Sequence, residues 1–184
     1  MIVFVGSTGA GKTLQAEFLA KNLGCAFLST GEFFRKSSKK DHLEAVMHGR
    51  LVSDEHVIEI VERMTRGLQP FAEAVIDGFP RSTGQAQWLV DQASSNKLRL
   101  TAVIHLVVSQ DVVAARLLSR ARPDDHLAAI KRRYAEYEQN IPAILAVFEA
   151  KKVAILTVNA DDTIEKIHAQ IANFIEPLER NPKK

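Results

Sequence analysis

Residues 6–13, Gly6-Ser7-Thr8-Gly9-Ala10-Gly11-Lys12-Thr13, form a complete phosphate-binding loop directly behind the apolar run Met1-Ile2-Val3-Phe4-Val5. The combination dictates a local fold. A buried strand has to end at Gly6, and the glycines let the backbone curl around an anion without Cβ clashes. A helix then starts near Lys12, and its unpaired N–H groups and positive dipole end aim at the same point. In such a loop the lysine ammonium reaches the β- and γ-phosphates of a nucleotide, and the Thr13 hydroxyl ligates Mg²⁺. A plain glycine-rich turn would need neither Lys12 nor Thr13, so nucleoside triphosphate binding is expected.

The remainder of the chain alternates in the same way. Short runs rich in Val and Ile at residues 2–5, 26–28, 74–77, 102–108 and 153–158 predict strands covered on both faces. Amphipathic stretches at 13–23, 57–68, 83–92, 111–119, 125–150 and 163–175 predict helices between them. The first helix is expected to present Leu14, Phe18 and Leu19 on one face and to end at Gly24. Ser53 is expected to cap the second with its side-chain oxygen, followed by Asp54 and Glu55 near the positive dipole end. Pro142 is expected to bend or split the long helix. Strand–helix alternation implies an α/β fold with a parallel five-stranded sheet, right-handed crossovers and helices on both faces. Ligands then sit at the carboxyl ends of the strands, where Gly6 and Asp77 fall. Residues 31–68 break the alternation with helical pattern and charge alone, and predict a small helical insert.

Composition narrows the function. Lys and Arg number 24 against 22 acidic residues, a net charge of +2, which is too balanced for a general nucleic-acid binder. At 184 residues the chain fits one domain, and its 46% hydrophobic content supplies a core. Cys25, the only cysteine, excludes an internal disulfide, points to a reducing compartment and is expected to pack as a small apolar residue. No apolar run approaches membrane-spanning length and no secretory signal opens the chain, so a soluble cytoplasmic protein is expected. Histidines 42, 48, 56, 105, 126 and 168 show no metal-ligand spacing, and His105 is expected to be a hydrogen-bonded core residue.

The second anchor is Asp77-Gly78-Phe79-Pro80-Arg81, which closes the run Ala74-Val75-Ile76. A carboxylate at the end of a buried strand, across from a phosphate loop, supplies negative charge where a water-bridged Mg²⁺ needs it. With the phosphate loop, Ser29-Thr30-Gly31-Glu32-Phe33-Phe34-Arg35, Gly49-Arg50-Leu51-Val52-Ser53-Asp54-Glu55, and Gln85, this segment makes the chain resemble the adenylate kinase family of nucleoside monophosphate kinases. Arg116–Arg133 completes the matching order over about residues 1–160. The resemblance implies a P-loop three-layer fold, core 1–30 and 69–184, with a helical acceptor-binding insert at 31–68 and a minimal lid at 120–124. It also implies reversible phosphoryl transfer from Mg·ATP to AMP.

Residue roles follow from the same resemblance. Gly9, Ala10, Gly11, Lys12, Thr13, Leu14, Arg116 and Arg120 would hold ATP, and Thr13 and Asp77 would hold Mg²⁺ through water. Thr30, Arg35, Leu51, Val52, Val57, Gly78, Arg81, Gln85, Arg122 and Arg133 would hold AMP, with Arg35 and Arg81 on its phosphate and Gln85 reading its base. Lys12, Arg81, Arg120, Arg122 and Arg133 form the catalytic set, with Asp124 and Asp125 capping the next helix and orienting the arginines. Arg116 is equally compatible with an ordinary solvated position. Planar guanidinium groups suit the charge that must be neutralised between two polyphosphates.

The chain also departs from the family pattern. Glu32 stands where an aspartate is usual, and the segment at 36–48 is short. Only Ala121 separates Arg120 from Arg122, where relatives carry a mobile lid, and no zinc-binding cysteines are present. A more open donor site with looser ATP affinity and some ATP hydrolysis is therefore expected. A kinase for another monophosphate, and a regulatory nucleotide binder with vestigial activity, remain compatible with the sequence; a monomer is the default assembly.

Overall fold

The computed structural model describes residues 1–36, 52–68, 72–120 and 126–180. Five strands pair in parallel: β1 (Ile2–Gly6), β2 (Ala26–Ser29), β3 (Ala74–Asp77), β4 (Ala102–Val107) and β5 (Ala154–Asn159), in the spatial order β2-β3-β1-β4-β5. Between them lie α1 (Lys12–Leu23), α2 (Thr30–Lys36), α3 (Asp54–Thr65), α4 (Thr83–Ser94), α5 (Gln110–Arg120), α6 (Leu127–Ala150) and α7 (Ile164–Arg180). Every expected strand is present, with boundaries moved by a residue at most.

The strand pleat divides the core into two layers. Ile2 and Phe4 of β1 join Ala102, Ile104 and Leu106 of β4 under α1, α5 and α7. Val3 and Val5 point the other way and join Ile76, Val103 and residues of α3, α4 and α6. Such residues are almost wholly removed from water, each burial stabilising the fold by roughly 1.5–3 kcal/mol. Cys25 packs against the first layer as expected.

This topology opens the site. Neighbouring strands β1 and β3 both end at the same edge, with Phe4 in register with Asp77. From there β1 leads to α1 on one face, and β3 leads to α4 on the opposite face. A crevice at the carboxyl ends is the consequence of that divergence. The opposite edge is tied by charge instead. Arg99 donates to Glu73 Oε2 and Glu179 Oε1, each at 2.6 Å, and Thr101 Oγ1 donates to Glu73 Oε2 at 2.5 Å.

Several local expectations are corrected. The buried face of α1 is Gln15, Ala16, Leu19 and Ala20, whereas Leu14 and Phe18 are exposed. The stripe Gln15, Ala16, Leu19 and Ala20 meets the core, Leu14 and Phe18 fall on the side of the helix turned away from it, and Phe18 meets His168 edge-on. Pro142 does not split α6, which runs unbroken through it. Packing at both ends outweighs the missing N–H: Ile130 is anchored in one layer, Ile144 and Phe148 in the other. Ser53 occupies the N-cap of α3, but its side chain makes no capping bond. His126 caps α6, its Nδ1 accepting from the Ala129 N–H at 3.3 Å; Asp124 and Asp125, expected there, lie outside the described residues. Gly24 closes α1 in the left-handed conformation as anticipated. Among the described residues of 31–68 there is helix and no strand, and no described helix is long and apolar enough to cross a membrane.

Candidate active site

The phosphate loop connects β1 to α1. Gly11, at φ 90°, is the residue before the helix, a backbone conformation open to glycine and costly for other residues. Lys12 folds back over the loop, its Nζ donating to Gly6 O at 2.9 Å and Ser7 O at 2.7 Å. That posture suspends the ammonium over the concave side of the loop. Ser7 Oγ is buried with no hydrogen-bond partner, and Ser7 is not among the residues that line the adjoining cleft. An ammonium held over glycine-rich backbone at a helix N-terminus fits a bound phosphate.

Thr13 and Asp77 are brought together as expected. Thr13 Oγ1 donates to Asp77 Oδ2 at 2.6 Å across the β1–β3 boundary. Two neutral-to-anionic oxygens at this spacing are the donor set of a hard cation that keeps most of its water. Among the described residues no group of three His, Cys, Asp or Glu side chains is arranged to hold a metal without other ligands. Magnesium would accordingly need phosphate oxygens to complete its shell, and the residues present fit that arrangement.

The acceptor-side residues gather around Gly78. At φ 84° this glycine turns the chain out of β3, and a Cβ there would lie 2.6 Å from Thr30 Oγ1 and 3.3 Å from Arg81 Nη2. Arg81 Nε donates to the Gly78 carbonyl at 2.9 Å, which fixes the stem of the guanidinium. A Cβ on Gly31 would sit 3.2 Å from Arg35 Nη1 and 3.8 Å from Arg81 Nη2, so the two guanidinium groups converge over the start of α2. Two convergent guanidinium groups present planar sets of N–H donors that suit the oxygens of one phosphate. Thr30 is buried and its hydroxyl donates to Asp77 O at 3.4 Å. Val57 lies in the second core layer, and Val52 packs against it.

Lys12, Gly78, Arg81 and Arg133 line one cleft with Thr8, Glu136, Tyr137 and Asn140. Arg133 therefore joins the site from α6. Burial raises the Glu136 carboxyl above its usual range, while Arg81, Arg132 and Arg133 pull it down. Sequence pattern overlooked Glu136, Tyr137 and Asn140; their spacing from Arg133 along one helix was the available signal. Arg116 donates through Nη2 to Ala160 O at 2.9 Å, which pins α5 to the end of β5. Arg120 ends α5, and its side chain, like Leu51 and Arg122, lies outside the described set.

His105 is the core residue expected, but only half satisfied. Its Nε2 pairs with Tyr137 OH at 2.8 Å and its buried Nδ1 has no partner. Burial lowers its pKa below the ordinary 6.5, and Tyr137 is pushed up to about 12 by burial and by Tyr134 and Glu138. The folded state thus favours the neutral imidazole. Its stabilising contribution is complete above pH 6.5 and is lost as pH falls through the lowered folded value. Urea midpoints should decline over this acid range, and His105→Gln should flatten that decline. An unchanged pH profile in the variant would assign the loss to other groups.

Comparison with known proteins agrees with this geometry. The family model described as adenylate kinase matches residues 4–153. Adenylate kinase 1 of Nostoc sp. is 33% identical over 172 residues, covering 90% of this chain and 93% of that protein. The adenylate kinase of Parasynechococcus marenigrum is 33% identical over 180 residues, covering 95% and 97%. That of Corynebacterium urealyticum is 32% identical, covering 90% and 93%.

Proposed function

The chain belongs to the adenylate kinase family, and on that premise we propose that it catalyses reversible transfer of the ATP γ-phosphoryl group to AMP, yielding two ADP. The observation that carries the reading is the convergence of Lys12, Arg81 and Arg133 on one cleft beside the Thr13–Asp77 pair.

An oxygen of the AMP phosphate attacks the γ-phosphorus; a new P–O bond forms while the bond to the β,γ-bridging oxygen breaks, leaving ADP on each side. No general base is required, because the second pKa of a phosphate monoester is about 6 and its oxygens are already nucleophilic near neutrality. The protein's task is alignment and charge neutralisation. Lys12 and the loop N–H groups hold the donor phosphates, with Gly9, Ala10, Gly11, Thr13 and Leu14 around them. Arg116 and Arg120 flank that donor. Arg35 and Arg81 hold the acceptor phosphate, and Arg120, Arg122 and Arg133 face the transferring group. Thr30, Leu51, Val52, Val57, Gly78 and Gln85 shape the acceptor pocket. Thr13 and Asp77 would hold Mg²⁺ through water, and the bound cation would supply charge neutralisation to the donor phosphates.

In this reading 31–68 is the acceptor-binding insert, 120–124 a reduced lid, and the remainder the core of one domain; the protein works as a cytoplasmic monomer. A regulatory binder would need only the loop and the cation pair, so the arginines of the acceptor side favour the enzyme. Coupled turnover of Mg·ATP with a panel of nucleoside monophosphates tests it. AMP should be the preferred acceptor, with slow ATP hydrolysis when acceptor is omitted. Turnover no higher than that of Lys12→Ala with every acceptor would overturn the reading.

A further inference from the structure

We propose that Asp54 is a specificity-determining residue that sets the acceptor-base preference by locking the orientation of the Gln85 amide; the inference rests on Gln85 meeting the acceptor base. Gln85 is 1% exposed, and its amide is held at both ends. Oε1 accepts from the Arg81 backbone N–H at 2.7 Å, and Nε2 donates to Asp54 Oδ1 at 2.8 Å. Asp54 is itself fixed, because Oδ2 accepts from Ser82 Oγ at 2.6 Å. Ser82 Oγ in turn accepts from the Gln85 backbone N–H at 3.2 Å, closing a ring of hydrogen bonds between α3 and the start of α4.

The neighbours dictate the sense of the amide. A backbone N–H only donates and a carboxylate only accepts. Rotating the amide by half a turn would set NH₂ against the Arg81 N–H and oxygen against the Asp54 carboxylate, two repulsive contacts in place of two bonds. Each existing bond uses one of the two N–H groups and one of the two oxygen lone pairs, so a donor and an acceptor remain for a base. Adenine presents an acceptor at N1 beside a donor at the 6-amino group. Hypoxanthine presents the reverse, a donor at N1 beside an acceptor at O6. An amide free to rotate serves both edges; a locked one serves a single sense. Asp54 would thus act through Gln85 without touching the base.

Gly84 keeps the space the lock needs. A Cβ at this position would lie 2.7 Å from Asp54 Oδ2. Gly84 sits within helix α4, so alanine there suits the backbone and its effect falls on the Asp54 carboxylate, which has to leave its place in the ring.

The test compares kcat/KM for AMP and for IMP, with Mg·ATP as donor, in wild type, Asp54→Ala, Gly84→Ala, Gln85→Ala and the double variant Asp54→Ala/Gln85→Ala. The AMP-over-IMP ratio should fall by about tenfold in Asp54→Ala and Gly84→Ala, the scale expected when one buried polar group loses its partner. The KM for ATP should stay unchanged. In the Gln85→Ala background, removing Asp54 should leave the ratio where it is. A ratio in both single variants equal to that of wild type would overturn the lock, as would a further fall in the double variant. Absence of AMP turnover by wild type would instead defeat the acceptor reading itself, and the inference with it.

Discussion

Lys12→Ala should lower kcat by about a thousandfold, the scale of losing one preorganised charge at a developing anion. The ammonium is held over the loop by the Gly6 and Ser7 carbonyls, so it needs little reorganisation to meet a phosphate. Alanine removes the charge and leaves the backbone cradle, and ATP binding should weaken much less than turnover slows. Single-turnover rates at saturating ATP separate the two effects. A variant that turns over normally once ATP is raised would restrict Lys12 to ground-state binding.

Arg81→Ala should have an effect of similar size, about a thousandfold in kcat/KM for AMP, as for other arginines that stabilise phosphoryl transfer. Its stem is fixed by the Gly78 carbonyl, and its guanidinium converges with that of Arg35. ATP affinity should remain nearly intact, because the loop that holds ATP is on the other side of the β1–β3 boundary. Arg81→Lys should restore little, since an ammonium cannot reproduce a planar two-pronged contact. Equal losses of ATP and AMP affinity would count against an acceptor-side role. Measuring the two substrates separately by calorimetry decides it.

The parts of this molecule legible in its sequence are those set by local chemistry. The phosphate loop, the strand ahead of it and Asp77 at the end of β3 are each defined within a few residues, and the structure sets Thr13 against Asp77. Other features depend on partners far along the chain. The exposed position of Leu14 and Phe18 follows from which side of α1 its partners in the sheet and α7 cover, which the helical period of α1 does not encode. Continuity of α6 through Pro142 depends on anchoring at both ends. Asp54 read as a charge at a helix start, whereas its carboxylate is spent on Ser82 and Gln85, residues some thirty positions away. Nothing at position 54 alone signals that pairing.

The charged tie formed by Arg99, Glu73 and Glu179 lies at the foot of the sheet, a full strand length from the nucleotide cleft. Rigidity and turnover are thereby assigned to separate territories. An engineer seeking a heat-tolerant variant can work at the foot, since stabilising changes tend to exact a toll only where activity requires motion or strain.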